Sequence, residues 1–333
     1  MRKGIQKSSF GRLQDGSEID LYTLTNENGL RCQIATYGGI ITRLETPDRA
    51  GRLANIVLGY DRLEEYETGK AYLGAIIGRV ASRIGGARFT LDGKTFALAA
   101  NDGRNHLHGG VRGFDRRVWQ AAPDGNSLRL QYTSADGEEG YPGTLHVAVT
   151  YALNDANELS LDYEAVTDQP TPVNLTSHPY WNLAGEKEAG DILGHELTVA
   201  ADSYTPGDAE YILTGEIKPV EGTPLDFRSP AVTGSRSSQH NTNYVLRQTA
   251  GRSVFAAKVR EPQSGRALEI WTDQPCLQFY SGFFLSGKHA PSSGLCLETQ
   301  NFPDAVNHGN FPSTILRPGE TYRHRTVCRF STG

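Results

Sequence analysis

Hydrophobic residues recur at every second position along most of the chain, which is the spacing of half-buried β-strands. The pattern is clearest at residues 145–153, where five large apolar side chains alternate with smaller or polar ones. Residues 89–98 predict a hairpin, because two alternating runs flank the two-residue turn Asp92-Gly93. The same spacing predicts further strands at residues 128–133, 159–165, 268–270, 277–279, 295–298 and 322–330.

Helical periodicity is nearly absent and is confined to residues 61–67. Many strands with one apolar and one polar face favour an all-β fold, an antiparallel β-sandwich. No composition break, linker or short repeat divides the chain, so we predict one domain over residues 1–333. Long loops are expected near residues 100–118, 170–195, 202–242 and 284–313. Loops of this length in an all-β scaffold tend to carry function.

Composition narrows the class of protein. The 333 residues are 38% hydrophobic and 21% charged, which suits a soluble globular protein with a large core. The net charge of −5 argues against a nucleic-acid partner or an anionic membrane surface. The basic N-terminal residues have no apolar segment behind them, so no signal peptide is expected. No run approaches the ~20 apolar residues of a membrane span.

The four cysteines predict a cytoplasmic protein. They are far apart in the chain and show no C-x-x-C spacing, so we interpret them as reduced, partly buried thiols. They are Cys32, Cys276, Cys296 and Cys328.

One candidate for chemistry is His178, within the stretch NLTSHPYWNLAG at residues 174–185. Pro179 pushes the backbone at His178 toward extended geometry. The aromatic faces of Tyr180 and Trp181, together with nearby amides, suit a polar ring-shaped ligand such as a sugar. Histidine can also donate or accept a proton near neutral pH. The alternative is a histidine buried in a loop corner and hydrogen-bonded to backbone.

A second candidate is Glu298, which follows an apolar strand and precedes Thr299, Gln300 and Asn301. A carboxylate at a strand end among amides is a good general base if burial raises its pKa toward neutrality. An ordinary surface glutamate is the alternative. The apolar residues 295–297 favour a buried strand and therefore a functional carboxylate.

A third cluster lies in residues 101–119 and contains His106, His108 and the pair Gly109-Gly110. The glycines would let the backbone approach a ligand closely. In a strand the two histidines would share one face, which raises the possibility of a metal site. The remaining ligands of such a site would come from His178, Glu298 or His308.

A fourth cluster is GRVASRIGG at residues 78–86, with Arg79 and Arg83 beside glycines. Arginines at the mouth of a hairpin could hydrogen-bond several hydroxyls of a ligand. The alternative for each is a solvated arginine in a turn.

Four motifs together resemble one family. In chain order they are NHLHGGVRGFDRRVW, NLTSHPYWNL, CLQFYSGFF and LETQNFPDAVNH. They are similar to motifs of the galactose mutarotase (aldose 1-epimerase) family, and the resemblance runs from about residue 59 to the last strand. It implies a large antiparallel β-sandwich, the galactose mutarotase-like supersandwich. It also implies interconversion of the α and β anomers of free aldoses such as glucose and galactose by acid and base catalysis. No metal or organic cofactor is expected, since the reaction involves no redox change.

The resemblance also implies roles for individual residues. His178 would be the general acid and Glu298 the general base, while His108, not His106, would bind substrate and assist at the ring oxygen. The implied substrate-binding residues are Ser82, Arg83, Tyr180, Asn241 and Gln278. Ser82 replaces the asparagine that usually precedes the arginine. Asn241 stands where the family usually has an aspartate that bonds sugar hydroxyls, which leaves the preferred sugar open.

Other functions remain open at this point. A hexose-6-phosphate epimerase would need an arginine cluster at the pocket mouth, for which only Arg79 and Arg83 are available. A non-catalytic carbohydrate-binding protein would not need both His178 and Glu298. A metal-dependent β-sandwich enzyme would use His106, His108 and Glu298. A glycosidase normally needs two carboxylates, and one strong candidate is present. The predicted partner is a monosaccharide, and the protein is expected to be a monomer or a homodimer.

Overall fold

The predicted strands are present in the computed structural model, which describes residues 3–185, 190–248 and 252–333. The chain up to residue 97 forms β1 (Gly4–Arg12), β2 (Glu18–Thr25), β3 (Arg31–Ala35), β4 (Ile41–Pro47), β5 (Leu53–Asn55), helix α1 (Leu63–Thr68), β6 (Ile76–Ile77), β7 (Arg83–Ile84), β8 (Arg88–Leu91) and β9 (Lys94–Ala97). The hairpin expected at residues 89–98 is therefore the pair β8 and β9, with Asp92-Gly93 as its turn.

The central part of the chain includes two long strands that follow one another, at residues 145–153 and 158–167. It forms β10 (His106–Leu107), β11 (Gln120–Asp124), β12 (Ser127–Ser134), β13 (Leu145–Leu153), β14 (Glu158–Thr167), β15 (Thr171–Pro172), β16 (Thr176–Ser177), β17 (Glu196–Val199), β18 (Ala201–Thr205) and β19 (Lys218–Pro219). The last part forms β20 (Ala231–Val232), β21 (Asn241–Leu246), β22 (Val254–Arg260), β23 (Arg266–Thr272), β24 (Cys276–Tyr280), β25 (Cys296–Gln300), β26 (Ile315–Leu316) and β27 (Tyr322–Thr332). Short 3-10 turns lie at Gly85–Ala87, Phe114–Arg116, Glu138–Gly140, Thr233–Ser235 and Ala305–Asn307.

Three sheets carry most of the strands in the described part of the chain. The largest has nine, in the order β11-β12-β13-β14-β27-β23-β22-β17-β20, and two have five, in the orders β1-β2-β3-β4-β5 and β19-β18-β21-β24-β25. Neighbouring strands within these sheets are antiparallel, as the alternation predicts. The strands on either side of residues 273–275 belong to different sheets, so the chain passes there from β23 in the nine-stranded sheet to β24.

The core lies between these sheets. One cluster of buried side chains joins Val149 and Tyr151 of the nine-stranded sheet to Phe279 and Leu297 of the β21-β24-β25 strands. Burial of such residues stabilises each by about 1.5–3 kcal/mol relative to exposure. The consequence for the site is that β24 and β25 are held rigidly on their apolar face while their other face remains available for polar side chains.

The helical turn predicted at residues 61–67 is α1, which buries Leu63 and Tyr66 and places two glutamates in its first turn. It ends where the N–H of Gly69 donates to the carbonyl of Glu65 at 2.9 Å. No helix among the described residues is long and apolar enough to cross a membrane. All four cysteines are free and buried.

Candidate active site

A pocket of about 610 Å³ brings together residues that are far apart in the chain. Its lining includes every site residue that the family resemblance implied, namely Ser82, Arg83, His108, His178, Tyr180, Asn241, Gln278 and Glu298. A second depression, of about 530 Å³, lies on the nine-stranded sheet. Its charged residues Arg129 and Glu164 are hydrogen-bonded to each other at 3.2 Å, so we place the chemistry in the first pocket.

Strand alternation positions Glu298. Side chains two residues apart on β25 share a face, so Cys296 and Glu298 point the same way while Leu297 lies in the apolar core between the sheets. The register sets Gln278 of β24 directly opposite Glu298. Gln278 Nε2 in turn donates to Asn241 Oδ1 at 2.6 Å, so three neighbouring strands present polar groups side by side in the pocket.

His178 is held by its backbone. It directly follows β16, which pairs with β6, and its N–H donates to the carbonyl of Ala75 at 2.9 Å. The carbonyl of His178 accepts from the N–H of Gly74 at 3.0 Å. Because Pro179 directly follows His178, the backbone of the histidine has little conformational freedom. Its Nε2 lies 3.7 Å from Oε1 of Glu298, and the ring of Tyr180 lies 5.0 Å away between centroids.

His108 is fixed by a reciprocal pair of hydrogen bonds with Ser82. The N–H of Ser82 donates to Nδ1 of His108 at 3.2 Å, and the N–H of His108 donates to the carbonyl of Ser82 at 3.0 Å. Because Nδ1 accepts, the proton of the neutral ring lies on Nε2. His108 therefore offers the pocket a neutral N–H donor. Ser82 contributes to this pair through its backbone N–H and carbonyl groups.

The glycines after His108 have a different role from the one expected. A Cβ on Gly109, whose φ is +86°, would lie 1.7 Å from the carbonyl oxygen of Gly78. A Cβ on Gly110 would lie 2.2 Å from a carboxylate oxygen of Glu139. The close approach that requires glycine is thus to the protein itself and not to a ligand. These contacts hold the loop that carries His108.

The interpretation of His106 and His108 as a metal-binding pair on one strand face is wrong. β10 ends at Leu107, and the φ of His108 is +51°, so the two side chains do not continue one strand face. Both ring nitrogens of His106 are occupied, Nδ1 with the carbonyl of Ala99 at 2.7 Å and Nε2 with the hydroxyl of Tyr141 at 2.7 Å.

The structure does gather three potential metal ligands, because atoms of His108, His178 and Glu298 lie within 4.8 Å of one another. Coordination through Nε2 of His108 would require moving its proton to Nδ1, where it would face the N–H of Ser82. His308, the other proposed ligand, instead lies 3.4 Å from Asp304. The donor chemistry of this cluster therefore fits hydrogen bonding and proton transfer better than metal binding.

Burial dominates the electrostatics of the pocket. His108, His178 and Glu298 are each no more than 9% exposed. Burial raises the pKa of Glu298 to about 8, and the nearby Arg83 opposes that rise. Burial lowers the pKa of His178 to about 4 and holds the pKa of His108 well below its ordinary value. Two groups whose pKa values move apart in this way are typical of an acid and base pair.

The two arginines of residues 78–86 lie in different environments. Arg83 lies in the pocket, where its Nε donates to Asp102 at 2.7 Å and its guanidinium lies 5.2 Å from the ring centroid of Tyr211. Arg79 is buried elsewhere, bonding to Ser134 and to backbone carbonyls. The interpretation of Arg79 as a residue that binds ligand hydroxyls is therefore wrong.

Several residues of the pocket lining were not predicted. They include Tyr60, Tyr72, Asp102, Tyr211, Tyr280 and Phe284. The ring of Tyr72 lies 4.8 Å from that of His108 and 6.0 Å from that of His178. The expected long loops at 100–118, 202–242 and 284–313 did contain three of these six. No sequence pattern within those loops distinguished these lining residues from their neighbours.

Known proteins of one family resemble this chain in sequence and in fold. A family model described as aldose 1-epimerase matches residues 20–329. A galactose mutarotase of Sus scrofa is 45% identical over 341 residues, covering 98% of each chain. An aldose 1-epimerase of Escherichia coli K12 is 36% identical, covering 95% of this chain and 96% of that one. The crystal structure of an aldose epimerase homologue from C. elegans superimposes with a TM-score of 0.88 at 29% identity, covering 94% of this chain and 98% of that chain.

Proposed function

Because the chain belongs to the aldose 1-epimerase family, we propose that Glu298 and His178 are the base and the acid with which it interconverts the α and β anomers of a free aldose. The protein is an isomerase, and the antiparallel galactose mutarotase-like fold that the motifs implied is confirmed. The observation that carries the assignment is the 3.7 Å separation of His178 Nε2 and Glu298 Oε1 in one buried pocket beside His108.

The chemistry follows from proton transfers at two oxygens. Glu298 removes the proton from the C1 hydroxyl while His178 protonates the ring oxygen, and the C1–O5 bond breaks. The open aldehyde turns about the C1–C2 bond. Attack of the C5 hydroxyl on the other face then closes the ring, with the C5 hydroxyl proton returned to His178 and the carbonyl oxygen protonated by Glu298. Each proton transfer contributes about 10²–10⁴-fold to the rate.

The remaining pocket residues hold the sugar in place for these transfers. His108 presents a neutral N–H donor, which suits a ring oxygen or a hydroxyl. Arg83, held by Asp102, and Gln278, bonded to Asn241, offer further hydrogen bonds to hydroxyl groups. Tyr180 and Tyr72 provide aromatic walls. Holding the sugar in one orientation lowers the entropic part of the activation barrier.

Glu298 and His178 share one proton at neutral pH. Burial favours the neutral pair, with the proton on Glu298, whereas the proposed roles need the proton on His178. Arg83 lowers the pKa of Glu298 and therefore favours the charged pair, and sugar hydroxyls that donate to the carboxylate act in the same direction. Both arrangements contain the same number of protons, so activity follows the population of the one-proton pair.

The pH dependence of kcat/KM is expected to be bell-shaped and broad. Below about pH 4 both groups are protonated and no base remains, because the pKa of His178 is lowered to about 4. Above about pH 8 both are deprotonated and no acid remains, because the pKa of Glu298 is raised to about 8. Polarimetry between pH 3 and 10 would measure the profile, with the uncatalysed rate subtracted at each pH. A narrow bell with limbs at the ordinary pKa values of these groups, 4.5 and 6.5, would contradict the role of burial.

Asn241 is the position at which sugar preference is expected to be adjustable. Asn241→Asp keeps an acceptor for Gln278 and adds a charge-assisted bond to a sugar hydroxyl, which is roughly twice as strong as a neutral one. We expect KM to fall about 3- to 10-fold for the sugar whose hydroxyl faces this residue, with less change for the epimer. Asn241→Ala is the matched control and should raise KM. Equal changes for all sugars would mean that the side chain does not contact a distinguishing hydroxyl.

The function is tested by following the optical rotation of freshly dissolved α-D-glucose, α-D-galactose and an arabinose anomer. Faster decay with the protein, unaffected by EDTA, is expected. No acceleration with any aldose would overturn the proposal that the substrate is a free sugar. Loss of activity in EDTA would instead indicate a metal ion at the cluster of His108, His178 and Glu298.

A phosphorylated sugar is less well supported as the substrate. The two arginines that line the pocket are already paired, Arg83 with Asp102 at 2.7 Å and Arg104 with Glu210 at 2.8 Å, and the third cation of the lining, Lys70, is an exposed residue. A phosphate would have to compete with both carboxylates. We therefore propose a free monosaccharide as substrate.

We also propose that the enzyme acts in the hexose metabolism of the cytoplasm, as one domain over residues 1–333. Four free, buried cysteines suit a reducing compartment. The continuous family match over residues 20–329 supports the single domain.

A further inference from the structure

Cys296 contacts the side of His178 that faces away from the carboxylate. The thiol is two residues before Glu298 on β25, so both point to the same face of the strand. Cys296 Sγ lies 3.4 Å from Nδ1 of His178, and Nε2 of the same ring lies 3.7 Å from Glu298. Among the described side chains, the thiol is the hydrogen-bond partner of Nδ1. The imidazole is thus placed between a thiol and a carboxyl group.

The tautomer of His178 decides whether its ring can give a proton from Nε2 while Nδ1 is hydrogen-bonded to the thiol. The proton that moves to the ring oxygen has to leave from Nε2, since this nitrogen faces Glu298. After it leaves, the neutral ring must carry its remaining proton on Nδ1, and a buried N–H without an acceptor is costly. A sulfur atom can accept that bond, although weakly.

We propose that Cys296 is a positioning residue that accepts a hydrogen bond from Nδ1–H of His178, and thereby leaves Nε2 as the nitrogen that takes up and gives away the proton in the pocket. The weakness of sulfur as an acceptor is part of this role. A carboxylate at the same place would hold the proton on the ring and weaken it as an acid. Burial and the neighbouring Glu298 keep the pKa of the thiol well above its ordinary value, so it stays neutral and does not act like a carboxylate.

The inference rests on the proposed function, because it assigns a role to a partner of the proposed general acid. In Cys296→Ala we expect kcat to fall about 10-fold. Losses of about this size are typical when the residue that orients a metal-bound histidine through a hydrogen bond is removed. KM should change less than twofold, because the thiol is not part of the pocket lining. Cys296→Ser restores a group that can accept and should recover most of kcat.

Loss of packing alone must be excluded. Cys32→Ala removes a fully buried sulfur from the core, away from the pocket, and should lower the melting temperature without lowering kcat. If Cys296→Ala and Cys296→Ser lose equal stability but only the alanine variant loses activity, the effect lies in the hydrogen bond. Full activity in a folded Cys296→Ala variant would overturn the proposal.

A direct readout is the nitrogen-15 spectrum of the histidine rings, with His178 assigned by its absence in His178→Asn. At neutral pH the proton is expected on Nδ1 in the wild type and distributed over both nitrogens in Cys296→Ala. A wild-type ring protonated on Nε2 would refute the inference even if the acid and base assignment holds. Retained activity in both Glu298→Gln and His178→Asn would instead refute the proposed function itself.

Discussion

Glu298→Gln is expected to lower kcat by about 10²–10⁴-fold while leaving KM nearly unchanged. The amide has the shape of the carboxyl group and keeps the hydrogen-bonding capacity of the site, but it cannot take a proton from the C1 hydroxyl. The side chain is 4% exposed, so solvent cannot readily replace it as a base. Optical rotation of α-D-galactose or α-D-glucose, at saturating and at low sugar concentrations, separates kcat from KM.

The stability of the same variant gives an independent check. The pKa of Glu298 is about 8 in the folded protein and 4.5 ordinarily. Between these values the unfolded chain releases the proton and the folded chain retains it, so rising pH weakens the wild type from about pH 4.5 to about pH 8. Glutamine removes this loss. Glu298→Gln should therefore melt at a higher temperature than the wild type at pH 8 and at a similar one at pH 4.5.

A misfolded variant would lose both stability and activity. A gain in stability combined with a loss of activity therefore cannot result from misfolding. Glu269→Gln is the matched control, because that glutamate lies on β23 and pairs with Lys258, away from the pocket. It should keep full activity. A Glu298→Gln variant within a factor of two of the wild type would show that another group removes the C1 proton.

The sequence predicted the sheets better than the pocket. Period-two spacing follows directly from a strand that is buried on one face, so the strands around Leu297 and Val149 were recognisable. It also suggested that the strand carrying Glu298 is buried. The meeting of His108, His178 and Glu298 could be anticipated only from the family resemblance, because their proximity depends on how three distant segments fold together.

The errors came from loops and short strands. Arg79 and Arg83 each precede a β-branched residue in the same short segment, yet Arg79 is buried and hydrogen-bonded to Ser134 and to backbone carbonyls from residues 134–142. His106 and His108 are two residues apart, but a positive φ at His108 breaks the alternation. Such contacts are tertiary, and no local spacing encodes them.

His178→Asn is expected to lower kcat by about 10²–10⁴-fold, because the amide cannot deliver a proton to the ring oxygen. The double variant with Glu298→Gln should be little worse than either single variant, since a transfer that needs both groups is lost when one is removed. The KM of His178→Asn should stay within a few-fold of the wild type. His108 and Arg83, the proposed contacts of the sugar, are unchanged in this variant.

Chemical rescue can locate the missing group. His178→Ala leaves a cavity in a wall of the pocket, and added imidazole should restore part of the activity, because its ring can occupy the space between Cys296 and Glu298. His178→Asn leaves less space and should respond less. Free imidazole also catalyses the reaction in solution, so its effect without protein has to be subtracted. Equal rescue of Glu298→Gln would indicate action in solution, whereas rescue limited to His178→Ala would assign the proton at the ring oxygen to this position.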